Sequence, residues 1–219
     1  ALSGAGAAGP RLAIVLEDDG SLRYGAEAVA SLPFRVSVAI DPTRPGAAAA
    51  MAAYRARGIE VLASVALPPE AAPRDAEVAS AAWFDALPEA IGLIEAAPGA
   101  LQRSRAASDQ LAEILAQEGR GLVLHSQGLD TGLSRAVRAG VPAAPLFRRI
   151  GTGSPDSTAV QRGLERAAFQ ARNEGAAIVA APLRADIIPA LIVWGLENRE
   201  AGVALTPVSA ILLAAGEAD

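Results

Sequence analysis

The chain has 219 residues, of which 52% are hydrophobic and 4% aromatic, and its formal net charge at pH 7 is -5. This acidic balance disfavours nucleic acid and anionic membrane surfaces as partners, because long-range steering toward them would be repulsive. With no cysteine and a single histidine, His125, the chain lacks the ligand sets of His-rich and Cys-rich zinc sites and has no thiolate nucleophile.

Apolar runs alternate with helical segments along the chain, and the first runs from Leu12 to Leu16. Because it is continuously apolar, it is typical of a strand covered on both faces. It follows a segment of small residues at 1–10 that we interpret as a flexible linker. The strands predicted after it are Val36–Ile40, Ile59–Val65, Ile91–Ile94 and Leu122–Leu124, and the helices between them are Gly25–Ser31, Gly46–Arg57, Ala82–Ala90 and Ser108–Glu118.

The second half continues the pattern with a sixth unit that contains Arg148 and Arg149. The run Ser154-Pro155-Asp156 predicts a helix start, because it supplies a cap residue, a first-turn proline and an acid that faces the helix dipole, and the helix ends at Gly175. The strand Ile178–Ala180, the helix Ile187–Asn198 and the strand Val203–Leu205 follow. About seven β/α units in succession predict one α/β domain over residues 11–219, with a mainly parallel sheet that is open or closed into a barrel.

Residues that follow the predicted strands are the candidates for a functional site, because the cleft of such a fold lies at the carboxyl ends of its strands. Paired carboxylates after the first strand can divide acid and base roles, although Asp-Gly is also a common turn. We take Asp18 and His125 as the candidate catalytic residues. The candidate ligand-binding residues are Glu17, Asp19, Glu95, Ser126, Gln127, Arg149 and Arg184.

Two kinds of candidate have competing interpretations. His125 is either a ligand or general base, since histidine titrates near neutrality, or a hydrogen-bonded histidine at a strand end. Three arginines, Arg148, Arg149 and Arg184, form either an anion-binding rim, because guanidinium groups match carboxylate and phosphate geometry, or ordinary surface ion pairs.

The chain resembles the divergent polysaccharide deacetylases, relatives of the chitooligosaccharide deacetylases, from about Arg11 to Leu213. Residues 11–20 end in Leu-Glu-Asp-Asp-Gly and look like that family's opening strand with its Ile-Asp-Asp-x-Gly motif. In this register Glu17 replaces the first aspartate and Asp18 matches the second. The segments 32–40, 56–62 and 203–213 resemble further parts of the family's framework. The resemblance implies an irregular (β/α) barrel of about seven parallel strands.

The functional motifs of that family are altered in this chain. Ser64 stands where the family has the histidine of His-Leu-Pro-Met-Glu, and Ala96 takes the place of the histidine in Asn-Asn-His-Met-Gly-Ser. Asp-Ser-Arg becomes His125-Ser126-Gln127, and Gly-His-Pro-His becomes Ala-Ala-Pro-Leu at 180–183. Asp18 and Ser126 are the matches at motif positions. The resemblance therefore implies a fold more strongly than an activity.

These departures predict a non-catalytic domain without a cofactor that binds a cell-envelope glycan or a protein partner in cell-wall metabolism. The alternative is a carbohydrate N-deacetylase with a rebuilt site, in which Asp18 and His125 hold a divalent metal, and oxygen-rich ligation favours Mn²⁺ or Mg²⁺ over Zn²⁺. The resemblance also implies export. We expect a bacterial periplasmic domain that is tethered through an N-terminal anchor and does not itself insert into the membrane.

Overall fold

A computed structural model describes residues 9–126, 131–153, 157–197 and 202–216, in which strands and helices alternate. The strands are β1 (Arg11–Asp18), β2 (Ser37–Ile40), β3 (Glu60–Val65), β4 (Gly92–Glu95), β5 (Gly121–His125), β6 (Ala143–Arg149), β7 (Ala176–Pro182) and β8 (Ala204–Leu205). The helices are α1 (Gly25–Ala30), α2 (Ala47–Arg55), α3 (Pro73–Ala86), α4 (Arg105–Glu118), α5 (Thr131–Arg138), α6 (Ser157–Glu174), α7 (Ile187–Glu197) and α8 (Val208–Gly216). None of these helices combines the length and apolar character needed to cross a bilayer.

The strands form a closed parallel barrel, which confirms the predicted irregular (β/α) barrel. Seven strands pair in the order β2-β3-β4-β5-β6-β7-β1, and β1 pairs again with β2 to close the ring. The short strand β8 pairs with Arg11 and Leu12 of β1, next to the stretch that pairs with β2. Because all pairs are parallel, the carboxyl ends of the seven barrel strands meet at one mouth.

Successive side chains of β1 serve two different layers of the core, because side chains alternate along a strand. Leu12, Ile14 and Leu16 pack under the surrounding helices. Ala13 and Val15 point into the barrel, where they meet inward-facing residues of the other strands such as Val123 and Ile178. By the same alternation, Glu17 continues the inward row and Asp18 continues the outward row.

Helix α8 closes the amino-terminal end of the barrel. Val208, Ile211 and Leu212 are buried against the inward-facing residues of the strands. The start of the helix is held by the Ser37 hydroxyl, which accepts from Val208 N at 3.0 Å, and by the Glu60 carboxylate, which accepts from Ser209 N at 3.2 Å. A carboxylate at this position also faces the positive end of the helix dipole. The functional mouth therefore lies at the opposite end.

Some predicted elements differ from those in the structure. Helix α3 begins at Pro73, well before the predicted start at Ala82, because a first-turn proline and the Asp75 carboxylate, which accepts from Ala72 N at 2.8 Å, start it there. Strand β6 was not located by its pattern, since Pro145 interrupts the apolar run. The predicted helix start at 154–156 lies outside the described residues, and α6 ends at Glu174, next to the predicted Gly175.

Candidate functional site

Polar residues from the ends of four strands meet at the mouth of the barrel. Glu17 ends the inward row of β1, Glu95 ends β4, His125 ends β5 and Arg149 ends β6. Glu17 and Arg149 are 132 positions apart in the sequence. Glu17, Glu95 and His125 are predicted from their strand-end positions and Arg149 from its place in the sixth unit, and the structure brings them into one cluster, which we call the mouth cluster.

A β-bulge in β6 decides which arginine enters the mouth. Leu146 faces inward and pairs with the inward Ile178, but the next pairs are Arg148 with Val179 and Arg149 with Ala180, so the register shifts by one residue. A bulge adds one residue and reverses the alternation beyond it. As a result Arg149, rather than Arg148, continues the inward row.

The guanidinium of Arg149 bridges three other strands. Its Nε donates to Glu17 Oε1 at 2.8 Å, and its Nη2 donates to the Glu95 carbonyl oxygen at 2.8 Å. Nη2 also lies 2.8 Å from Glu17 Oε1, so both nitrogens of one edge face that carboxylate. The third nitrogen, Nη1, contacts His125 Nε2. Charge-assisted bonds of this kind are among the stronger ones in proteins, and here they fix the arginine across the mouth.

The carboxylate of Glu95 is fully buried on the helix-facing side of β4, while its backbone carbonyl is the group that accepts from Arg149. Its Oε1 accepts from Leu101 N at 2.8 Å, and its Oε2 accepts from His125 N at 2.9 Å and from Gln102 Nε2 at 3.0 Å. Burial of a carboxylate is costly unless donors replace its water, and three donors do so here. Glu95 therefore organises the loop after β4 and is not exposed to a ligand.

The surroundings of His125 favour its neutral form. Burial lowers its pKa, and Arg149 lowers it further, while Glu95 and Glu17 act in the opposite direction. The Arg149 guanidinium, which has donors and no acceptor, contacts Nε2. The general-base nitrogen is therefore already occupied by a donor of the protein itself.

Asp18 lies outside the mouth cluster, on the helix-facing side of β1. It is 8% exposed. Its Oδ2 accepts from Arg44 Nη2 and from the Tyr54 hydroxyl, each at 2.9 Å, and its Oδ1 accepts from Gly20 N at 2.7 Å. Burial raises the pKa of Tyr54, and the negative charge of Asp18 raises it further, so the phenol stays a donor. The structure therefore separates Asp18 from His125, with which the sequence analysis had grouped it.

The remaining predicted residues make local contacts. Asp19 is exposed and accepts from Ser21 N at 2.8 Å, and its hydrogen bonds to Ser21 lower its pKa, as in a solvated turn. Arg184 donates to Asp186 and, at 2.7 Å, to the Gly153 carbonyl oxygen, outside the mouth cluster. Ser126 is exposed beside the end of β5, and Gln127 lies outside the described residues.

The residues present do not fit a divalent metal. Within residues 9–126, 131–153, 157–197 and 202–216, no three His, Asp or Glu side chains gather as a metal-binding group. A cation placed on Asp18 would meet the Arg44 guanidinium, and one placed on His125 Nε2 would meet Arg149. Both positions already hold a positive charge of the protein, which disfavours a second cation there.

The sequence profile of the divergent polysaccharide deacetylases matches residues 14–212. The chain belongs to this family. No curated protein matches it in sequence. An uncharacterized protein from Agrobacterium tumefaciens shares its fold at 21% identity with a TM-score of 0.78, covering 95% of this chain and 92% of that one.

Two further solved structures share the fold at lower identity. A family 4 carbohydrate esterase from Streptomyces lividans, in complex with acetate, is 9% identical with a TM-score of 0.59 and coverage of 90% and 91%. A protein described as a putative cellobiose-phosphate cleavage protein from Enterococcus faecalis is 11% identical with a TM-score of 0.59 and coverage of 91% and 98%. At these identities the likeness concerns the fold alone.

In this chain of the deacetylase family, the end of β3 changes which residue aligns with the histidine of His-Leu-Pro-Met-Glu. Strand β3 runs to Val65, so Ser64 lies inside the strand and Ala66 is the first residue after it. Residues 66–70 read Ala-Leu-Pro-Pro-Glu and keep the leucine, first proline and glutamate of His-Leu-Pro-Met-Glu. The histidine position is therefore occupied by the methyl group of Ala66, which has no metal-ligating atom.

Three residues around the candidate positions were missed by the sequence analysis. Arg44 follows β2 by a few residues, and a wider search after the strand ends would have found it. Tyr54 lies on α2 and Gln102 in the loop after β4, and each is recognisable only from the carboxylate that its side chain contacts.

Proposed function

We propose that this domain is a non-catalytic member of the divergent polysaccharide deacetylase family and that it binds a cell-envelope glycan. The observation that carries the proposal is the position of Arg149, whose guanidinium bonds to Glu17, His125 and the Glu95 carbonyl across the barrel mouth. Glu17 replaces the first aspartate of the family motif, so the arginine neutralises the carboxylate that would serve as a base.

Hydrolysis of an acetamide requires an activated water and a group that stabilises the developing oxyanion. In this chain Glu17 and His125 are engaged by Arg149, and Asp18 is engaged by Arg44 and Tyr54. Each acid-base group is therefore in contact with another side chain of the protein in the position where a substrate or water would bind. Retention of the barrel with these changes favours a binding role on the inherited scaffold.

The test measures acetate release from N-acetylated chitooligosaccharides with added Zn²⁺, Mn²⁺ or Mg²⁺, together with metal content by mass spectrometry after desalting. The proposal expects no acetate above a protein-free blank and no stoichiometric metal. The matched control is Asp85→Asn, since Asp85 is an exposed carboxylate on α3. Acetate release that is abolished in Glu17→Gln and retained in Asp85→Asn would overturn the proposal. Binding is tested separately by sedimentation of the intact protein with purified peptidoglycan.

A cell-wall protein is a second candidate partner. Helices α6 and α7 are neighbours, and they expose three large apolar side chains, Phe169 at 59%, Val193 at 42% and Leu196 at 48%. Large exposed apolar side chains are often found at protein contacts. If the protein captures a wall protein and no glycan, and Phe169→Ser abolishes capture, this candidate replaces the glycan. The proposed location for either partner is the periplasm, with the domain tethered through an N-terminal anchor.

A further inference from the structure

A cavity separate from the barrel mouth opens on the outer side of β1, next to α1 and α2. Its volume is about 480 Å³, and its polar lining comes from Asp18, Arg23, Tyr24, Glu27, Arg44 and Tyr54. Ligand pockets of small molecules generally lie in the range of roughly 300–1,000 Å³ and combine an apolar body with a few fixed polar groups. We call this space the β1 cavity.

The inner wall of the β1 cavity is rigid. Asp18, Arg44 and Tyr54 form one hydrogen-bonded group, and Tyr54 is 1% exposed. Arg44 has one weakly bonded donor: its Nη1 reaches the Pro45 carbonyl oxygen only at 3.5 Å, and the side chain is 15% exposed. This wall therefore favours a ligand that brings an acceptor close to Nη1 of Arg44.

The outer rim of the cavity carries a cation and an aromatic ring. Arg23 is exposed and makes no ion pair or hydrogen bond within the described part of the chain. The neighbouring Tyr24 is 67% exposed, which is unusual for so large a ring. A tyrosine presents an apolar face and a polar tip, and this combination suits the C–H face and the hydroxyl groups of a sugar ring.

The charges around the cavity select for a negative ligand. Asp18 is paired with Arg44, and Glu27 is paired with Arg57 at 2.6 Å. Arg23 is then the cation at the rim that has no described counter-charge, in a chain whose formal net charge is -5. A guanidinium that is not yet paired is well suited to bind a carboxylate through two parallel bonds.

We propose that the β1 cavity binds a sugar ring that carries a carboxylate. The ring packs on Tyr24 and the carboxylate pairs with Arg23 at the rim. Arg44 lies at the inner wall, where it can donate to an oxygen of the sugar. The inference rests on the proposed glycan-binding function and adds the site and the class of sugar. It places recognition outside the barrel mouth, on residues that the strand-end argument did not include.

The experiment compares two sugars that share one ring and differ in a carboxylate. N-acetylmuramic acid carries a lactyl carboxylate that N-acetylglucosamine lacks, so calorimetric titration of the intact protein with each isolates the contribution of the charge. We expect N-acetylmuramic acid to bind roughly tenfold more tightly, since a charge-assisted bond is gained. Arg23→Gln removes this difference and leaves N-acetylglucosamine binding unchanged, whereas Tyr24→Ala weakens both ligands.

Two controls truncate similarly exposed side chains away from the cavity. Arg103→Gln removes an exposed arginine that makes no described ion pair, and Val78→Ala truncates an apolar side chain that is 64% exposed on α3. Neither lines the β1 cavity, so both should bind like the wild type. Because Arg23 and Tyr24 are exposed, their variants should keep the wild-type circular dichroism spectrum and unfolding midpoint.

Equal affinity of the wild type for the two sugars, or an unchanged preference in Arg23→Gln, overturns the site. Sedimentation with peptidoglycan separates this failure from failure of the proposed function. If the wild type sediments and both cavity variants sediment equally, the glycan function stands and the β1 cavity is wrong. If the wild type binds neither peptidoglycan nor either sugar, the proposed function fails, and the cavity inference fails with it.

Discussion

Arg149 and Glu17 meet at 2.8 Å across the barrel mouth, although 132 positions separate them in the sequence. Their side chains are 15% and 26% exposed, so the pair is partly shielded from solvent. The contact depends on two local features. The inward row of β1 ends at Glu17, and the bulge of β6 turns Arg149 into the barrel.

Removal of Arg149 is expected to destabilise the fold. Arg149→Ala leaves Glu17 and the Glu95 carbonyl without their donor, and we expect a loss of about 1–3 kcal/mol, below the value for a fully buried pair because of the partial exposure. Urea unfolding followed by circular dichroism measures the change. Arg103→Ala, which removes an exposed arginine, should stay within about 0.5 kcal/mol of the wild type. Equal midpoints for the two variants would contradict a fixed arginine at the mouth.

The hydroxyl of Tyr54 is expected to contribute to stability through Asp18. Tyr54→Phe removes the 2.9 Å bond to Asp18 Oδ2 while preserving the buried ring, so the free energy of unfolding should fall by about 1–2 kcal/mol. Tyr24→Phe makes the same chemical change at a side chain that is 67% exposed, and it should have almost no effect. If both variants lost the same stability, the Asp18 bond would not be the cause.

The single histidine is expected to make stability depend on pH near neutrality. Burial lowers the pKa of His125 in the folded state below its ordinary value of 6.5. Below about that pH the unfolded chain binds a proton that the folded chain resists, so the free energy of unfolding falls as pH drops from 6.5 toward the folded pKa. Above pH 6.5 both states are neutral and the stability contribution is fully present.

Unfolding in urea at a series of pH values from about 8 to 5 tests this dependence. His125→Gln should flatten the curve in the upper part of this range, since no other side chain has an ordinary pKa there. The carboxylates titrate mainly lower, and they contribute equally to both proteins. A variant curve that parallels the wild type would mean that His125 is not held neutral.

The glycine that begins β4 is expected to be essential for the approach of β4 to β5. A Cβ on Gly92 would overlap the backbone carbonyl of Gly121, with the carbonyl carbon at 2.7 Å, and a backbone atom cannot move aside as a side chain does. We expect Gly92→Ala to lower the free energy of unfolding by about 3 kcal/mol. We also expect the overlap to push β4 and β5 apart and so to displace Glu95 and His125 at their ends. Thermal unfolding measures the loss.

Gly119→Ala provides the comparison. Its Cβ would meet nothing within 4 Å, but its φ of +65° strains any other residue, so a loss of about 1 kcal/mol is expected. A smaller effect at Gly92 than at Gly119 would contradict the close approach of the two strands.

The sequence by itself determined the alternation of strands and helices, a mainly parallel sheet and most of the strand ends at which charged residues lie, while the barrel was implied by the family resemblance. These features depend on local patterns: apolar runs for covered strands, glycines after helices and the Glu17-Asp18-Asp19-Gly20 cluster after β1. The presence of Glu17, Glu95, His125 and Arg149 at one mouth also followed from the sequence, because parallel strands end on the same side. The start of α3 and the course of β6 did not, since a proline start in an alanine-rich segment and a proline within a strand weaken the periodic signal.

Only the tertiary structure decided how those charges are divided. Glu17 and Asp18 are adjacent in sequence, yet they belong to different sites, because alternate side chains of a strand face opposite sides of the sheet. The partners of Asp18 come from the loop after β2 and from α2, and the choice of Arg149 over Arg148 depends on a bulge. No local pattern encodes these contacts, since each joins side chains that are far apart in the chain and meet only when the barrel closes.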